Sequence, residues 1–251
     1  MADQLTEQLL IRFVGAARPV VPLVSMWAHG SLAGGDYQVG RSDLDLIAVL
    51  DRPCTAVEEE RLGELHESLG RAVPLAAKLH CSYLAAAELD DPARSHLTWA
   101  HEELMRRPVT PVTRRELHEF GRVLYGRPPA GLLPVVTDGQ LAAFVVADLR
   151  DYWRPALAHP ERWKRDVWVD VGLLTLARAV TTLRNGTLIT KAEALDVLTR
   201  LGAPGEVVAD IRQRRYGEPA PATERWINRR AELTTAFLGP AIDRAAAAHT
   251  G

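Results

Sequence analysis

Apolar positions recur at helical spacing near the start of the chain, where Leu5, Leu9, Ile11, Phe13 and Val14 lie within residues 4–16, ahead of Pro19. A continuous apolar run over residues 20–28 then ends in His29-Gly30-Ser31 and predicts a buried strand entering a tight turn. Residues 32–42 are rich in glycine and polar side chains. Residues 43–51 alternate acid with apolar before turning wholly apolar, which predicts a second buried strand. Residues 55–72 place Val57, Leu62, Leu65 and Leu69 on one side of an amphipathic helix, and residues 73–84 read as a third strand. Strand, helix, strand in that order predicts an α/β domain with a small mixed sheet.

The pattern changes after about residue 107. Residues 106–114 form a Pro-punctuated connection, and the rest reads as helix over 113–124, 138–157, 161–184, 190–201, 204–216 and 222–247. Turn signals at Gly126-Arg-Pro-Pro, Asn185-Gly186, Gly202-Ala-Pro-Gly and Gly217-Glu-Pro-Ala-Pro separate these helices. The expected organisation is an α/β domain over 1–107 and an all-α helical bundle domain over 108–251.

Composition narrows the classes. The 251 residues carry 30 basic and 32 acidic side chains, for a net charge of −2, so a nucleic-acid partner held by overall basicity is not expected. Two cysteines cannot build a disulfide framework, and no CxxC pattern points to zinc. The N-terminal segment lacks the basic start and long apolar core of a signal peptide, and no run approaches the ~20 apolar residues of a membrane span. A cytoplasmic protein without a membrane partner is therefore expected; its oligomeric state stays open. Only Lys78, Lys164 and Lys191 are lysine, against 27 arginines.

The chemistry concentrates in residues 29–50. Asp43 and Asp45 lie two apart at the opening of a predicted strand, so their carboxylates share a face. Two aligned carboxylates repel unless a cation sits between them, and hard oxygen ligands of this kind suit Mg²⁺ that is also bound to nucleotide phosphates. Gly30 and Ser31, closing the preceding strand, offer a backbone that a phosphate can approach, with a hydroxyl and a helix start beside it. Arg41 and Ser42 stand just ahead of the acids, within reach of phosphates. A bare Asp-x-Asp is usually solvated strand edge, and Arg41 alone would more often be a surface arginine. The restrictive feature is the combination of an apolar strand, Gly-Ser, eleven residues, and Asp-Leu-Asp-Leu opening another apolar strand. This combination resembles the signature of the nucleotidyltransferase superfamily that includes DNA polymerase β and antibiotic-modifying enzymes.

The helical half extends the resemblance. Residues 173–198, followed by Ile211–Glu218, are similar to the helical domain of the aminoglycoside (3'')(9) adenylyltransferases, which transfer AMP from ATP to a hydroxyl of streptomycin or spectinomycin. The resemblance implies phosphate-binding roles for Arg178, in an LTLxR element, and for Lys191, after the turn. It also implies a nucleotide role for Tyr216, with a one-residue change in length. Independently, Lys191 opens a predicted helix, where a cation is mildly disfavoured by the helix dipole unless an anion joins it.

Two departures stand out. The family keeps a third carboxylate, the general base, on the next strand. Here that place falls on Lys78, with His80 two residues on. Three alternatives follow: His80 as the base; Lys78 as a phosphate ligand, with deprotonation left to the substrate's side; or a relocated acid, for which Asp90, Glu102 and Glu103 are the candidates. A strand histidine with a structural hydrogen bond is the plain alternative for His80. In the acceptor pocket, Trp99 stands near the family's tryptophan, and the family's aspartate falls near Trp168, flanked by Asp166 and Asp170. Those two acids, with Asp148, Asp151 and Trp153, could form an acidic, aromatic-walled cleft or merely solvated helix faces.

The resemblance thus implies a Mg²⁺-dependent enzyme of antibiotic resistance. Asp43 and Asp45 would hold the metal, ATP would be the donor, and an aminoglycoside-type small molecule the acceptor. A nucleotidyltransferase acting on protein or tRNA, and a catalytically silent nucleotide-binding module, are the rival expectations.

Overall fold

The computed structural model describes residues 3–249. The chain divides into two compact units between Val136 and Thr137.

The first unit opens with α1 (Gln4–Ala17), whose N-terminus is closed by the Asp3 side chain accepting from the Thr6 amide. It continues through β1 (Leu23–Ala28), the four-residue α2 (Gly30–Ala33), β2 (Leu44–Leu50) and α3 (Ala56–Ala72). Thr55 and Glu58 form a capping box that starts α3 one residue after the predicted boundary. Then come β3 (Leu79–Ala85), β4 (Ser95–Ala100), β5 (Glu103–Pro108), α4 (Pro111–Phe120) and β6 (Arg122–Gly126). The strands make one mixed sheet in the order β5-β4-β3-β2-β1-β6. Only β2 and β3 run parallel, joined by α3 as the crossover helix; the other neighbours are antiparallel. This is the mixed-sheet α/β architecture expected from the sequence.

Strand alternation separates two apolar layers. Leu44, Leu46, Ala48, Leu50, Cys81, Tyr83 and Leu97 pack with Leu10 and Phe13 of α1 and Leu62 of α3. Ile47, Val49, Trp27 and Leu84 pack with Leu117 of α4 and with Leu89, Val109 and Leu133.

Three strands, β4, β5 and β6, were not anticipated; β4 is buried, but Ser95, His96 and Thr98 break its apolar pattern. β5 and β6 are edge strands with mostly exposed or half-buried side chains, so neither shows the apolar pattern of a buried strand. Residues 122–126, expected as the end of a helix, instead extend and pair with β1 after Gly121 stops α4. The segment from 108 to 136 consequently packs within the first unit, and the division falls at Val136 rather than near residue 107. The third predicted strand is also shorter, because Pro74 starts a 3-10 helix over Pro74–Lys78 that leaves only Leu79–Ala85 to the sheet.

The second unit is all helical among its described residues: α5 (Asp138–Asp148), α6 (Arg154–Ala156), α7 (Pro160–Trp163), α8 (Asp166–Asn185), α9 (Lys191–Arg200), α10 (Gly205–Tyr216) and α11 (Glu224–Ala247). The predicted helix over 138–157 is interrupted by a π-turn at Leu149–Trp153, next to Pro155, which has no amide proton to donate. Trp153, Trp163 and Trp168 form a cluster of tilted and edge-on rings with centroids 5.9–6.5 Å apart. Gly172 of α8 is required there: a Cβ would stand 2.8 Å from Trp163 Cζ3. Among the described residues no helix is long and apolar enough to cross a membrane.

Among the polar groups buried in the first unit is His66. His66 of α3 hydrogen-bonds the Tyr83 hydroxyl at 2.7 Å and stacks on Trp99 at 4.7 Å with the rings 6° apart. Burial pushes its pKa down to about 3. Above pH ~6.5 the ring is neutral in folded and unfolded chains alike, and its contribution is complete. As pH falls from there toward 3, the unfolded chain binds a proton that the folded one refuses, so stability is lost at about 1.4 kcal/mol per pH unit. Denaturant melts between pH 7 and 4 should therefore show a steeper decline for the wild type than for His66→Gln, which keeps a partner for Tyr83 but does not titrate; equal slopes would contradict this assignment.

Candidate active site

β1 and β2 pair in antiparallel register, with Ala28 opposite Leu46, so the end of β1 lies beside the start of β2. His29 follows β1, and its amide donates to the Asp45 carbonyl at 3.0 Å. Gly30 then takes a left-handed conformation (φ +61°), and a Cβ there would stand 2.7 Å from Asp45 Oδ2. Glycine is demanded twice, by backbone angle and by space. Ser31 lies in α2, too short a helix to carry an appreciable dipole. The turn offers its amides and the hydroxyl instead.

Asp43 immediately precedes β2 and Asp45 is its second residue, on the sheet face that also carries Ile47 and Val49. The parallel register sets His80 beside Asp45, with His80 Nδ1 3.7 Å from Asp45 Oδ1. Lys78, at the end of the 3-10 helix, places Nζ 3.6 Å from Asp43 Oδ1. The structure thus brings together Gly30, Asp43, Asp45, Lys78 and His80. Arg41 and Ser42 close the turn before the acids: both amides donate to the Gln38 carbonyl, and the Ser42 hydroxyl accepts from the Gln38 amide at 3.0 Å. Ser42 is buried, and its visible work is to shape that turn.

The two carboxylates suit a hard divalent cation. They share one face and are part-exposed, with Lys78 Nζ 3.6 Å from Asp43 and His80 Nδ1 3.7 Å from Asp45. Among the described residues no cluster of three His, Cys, Asp or Glu could hold a metal unaided, so the remaining ligands would have to come from substrate and water.

His80 is poorly placed as a free base. Its side chain is only 7% exposed, and Nε2 accepts a long 3.4 Å hydrogen bond from the His101 amide. A neutral ring then carries its proton on Nδ1, toward Asp45. His101 packs edge-on against His80 at 4.7 Å, from the tight turn joining β4 and β5, where His101 and Glu102 both have positive φ. Glu102 is exposed on that turn, Glu103 is exposed at the start of β5, and Asp90 is exposed in the loop before β4.

Trp99 does not join the acids. It pairs with Cys81 across β3 and β4 and stacks on His66, on the face opposite Asp45, so it belongs to the core. A further pair went unnoticed in the sequence: His29 Nδ1 lies 3.0 Å from Glu116 Oε2 of α4, both side chains largely buried. No local pattern could have flagged a contact spanning 87 positions.

In the second unit, Arg178 of α8 donates from Nε to the Ile189 carbonyl at 3.0 Å, pinning the loop that leads into Lys191. Lys191 is the first residue of α9, behind a Thr190–Glu193 capping box. Tyr216 ends α10, its hydroxyl accepting from Arg215 Nε at 3.0 Å. Asp166 and Asp170 both enter an ion-pair network, Asp170 half-buried and Asp166 still exposed. Asp170 pairs with Arg214, Asp166 with Arg230, and Asp210 with both arginines, 3.0 Å from Arg230 Nη1. Desolvation raises the Asp170 pKa against the pull of Arg214, whereas the two guanidiniums lower that of Asp210 despite its burial. The network ties α8, α10 and α11 together. Asp148 accepts from Trp153 Nε1 at 3.0 Å, and desolvation raises its pKa.

No family model matches the chain, and no curated protein does. Among solved structures, spectinomycin adenyltransferase AAD(9) from Enterococcus faecialis, crystallised with ATP and spectinomycin, matches with a TM-score of 0.72. The two chains share a fold. The match covers 92% of this chain and 98% of that one at 14% sequence identity, and it bears out the expected architecture of an α/β region followed by helices.

Arg230 has no exposed surface. Arg230→Met should leave Asp210 with Arg214 as its remaining partner, take the guanidinium from Asp166, and lower stability by about 2 kcal/mol, read as a drop in denaturation midpoint with helix content retained. An unchanged midpoint would mean that the network bears no load.

Proposed function

We propose that the protein is a nucleotidyltransferase that moves AMP from ATP to a hydroxyl of a small acceptor of aminoglycoside type. The observation that carries this reading is the Asp43–Asp45 pair with Gly30 packed against the Asp45 carboxylate, in a fold shared with an adenyltransferase. Mg²⁺, held by Asp43 and Asp45, would neutralise the triphosphate and make the α-phosphorus more electrophilic. Gly30 and Ser31 present amides and a hydroxyl to the phosphates. Lys78 balances Asp43 and stands ready for a phosphate oxygen, while Arg178, Lys191 and Tyr216 are assigned to the nucleotide on the family resemblance. The acceptor hydroxyl attacks the α-phosphorus in line and pyrophosphate leaves. His80, with Nε2 engaged by the His101 amide, flanks Asp45 and does not take the proton, which passes to a phosphate oxygen or to solvent. Two free thiols fit a reducing, cytoplasmic setting.

The presence of Lys78 and His80 where the family keeps an acid favours one rival, a nucleotide-binding module without turnover. Pyrophosphate release from ATP and Mg²⁺ with an aminoglycoside panel separates the two. Release that depends on a small acceptor, and falls at least about a hundredfold in Asp43→Asn and in Asp45→Asn, is the expected result. ATP binding without release under any acceptor would favour the silent module, and labelling of the protein itself would redirect the reading to a macromolecular acceptor.

A further inference from the structure

The His29–Glu116 pair lies outside every role assigned so far. Glu116 is buried in α4, its carboxylate 3.0 Å from His29 Nδ1, with the two side chains 8% and 13% exposed. A buried carboxylate fixes both the tautomer and the direction of an imidazole that donates to it. His29 in turn occupies the hinge of the site: its amide donates to the Asp45 carbonyl, and the next residue is Gly30, whose Cα lies against Asp45 Oδ2.

α4 is itself held firmly. Thr110 caps its start, and the buried guanidinium of Arg114 donates to the carbonyls of Val109 at 3.0 Å, Asp91 at 3.1 Å, and Leu89. Its far end packs on the same connection: a Cβ on Gly34 would stand 3.4 Å from Phe120 Cε2. The chain between β1 and β2 is therefore gripped by α4 at two points, Glu116 on His29 and Phe120 on Gly34. One end of this grip is a packing contact. The other is a directional, charge-assisted hydrogen bond, and only that one sets the rotation of the residue preceding Gly30.

We propose that Glu116 is a positioning residue acting through His29: it holds the Gly30–Ser31 turn in the conformation that presents its amides to the phosphates of a Mg²⁺-bound nucleotide. The inference rests on the nucleotidyltransferase reading. It differs from the Asp43–Asp45 chemistry because neither His29 nor Glu116 touches the reacting atoms; the pair determines how well phosphates bind.

Full-length protein titrated with ATP and with inorganic tripolyphosphate, both with Mg²⁺, tests it. Glu116→Leu and His29→Ala should each weaken both ligands by the same factor, about tenfold, and the double variant should be no weaker than either single one. Glu116→Gln keeps an acceptor and His29→Asn keeps a donor, so both should stay within about twofold of wild type. Should Glu116→Leu fail to fold, the contrast between His29→Ala and His29→Asn decides alone. Folded Ala and Leu variants that bind like wild type would overturn the proposal. So would Asn and Gln variants as weak as the truncations, since the bond's geometry would then be irrelevant. A wild type that binds neither ligand would remove the nucleotidyltransferase reading, and the proposal with it, which distinguishes that failure from a failure of the pair.

Discussion

The approach of the Gly30 backbone to the Asp45 carboxylate governs the geometry of the first unit's site. A side chain at position 30 would occupy the space of Asp45 Oδ2, so the turn after β1 can close only around a glycine. The antiparallel pairing of β1 with β2 brings the two residues to the same end of the sheet, and the His29 amide bond to the Asp45 carbonyl holds them there. The parallel register of β2 with β3 then delivers His80 to Asp45, and the 3-10 helix preceding β3 delivers Lys78 to Asp43. Each acid thereby acquires a basic neighbour while staying part-exposed.

The second unit solves a different electrostatic problem. It buries Arg230 entirely and Arg214 nearly so, and surrounds them with Asp166, Asp170 and Asp210. Buried guanidinium groups are costly unless their donors are matched by carboxylates in good geometry, and once matched they set the relative rotation of the helices that carry them. Arg214 lies two residues before Tyr216 on α10, so the same network that consumes Asp166 and Asp170 also orients the end of that helix. Acids expected at an acceptor surface or on solvated helix faces thus also take part in the helix packing.

Legibility followed the range of the interactions involved. Helices with local start signals were readable nearly to the residue: Thr55 with Glu58 at α3, and Thr190 with Glu193 at α9, are capping boxes spelled out within four positions. β1 and β2 were readable because buried strands are apolar throughout. β5 and β6 were not, because an edge strand is specified by its neighbour's unpaired backbone rather than by its own side chains. Trp99 shows the same limit at a single residue: its position suggested substrate, whereas strand alternation turns it into the core against His66.

What the amino-acid sequence determined alone was the chemistry at the β1–β2 corner: a glycine that tolerates positive φ, followed at a set interval by two acids on one face of a strand. These depend on backbone angles and on the twofold period of a strand, both local properties. Only the tertiary structure decided which partners the ionised groups would find. Lys78 for Asp43, His80 for Asp45, Glu116 for His29 and Arg230 for Asp166 are each separated by tens of positions along the chain. A charge in a protein takes its role from the group that packing sets beside it, and packing is a property of the whole fold.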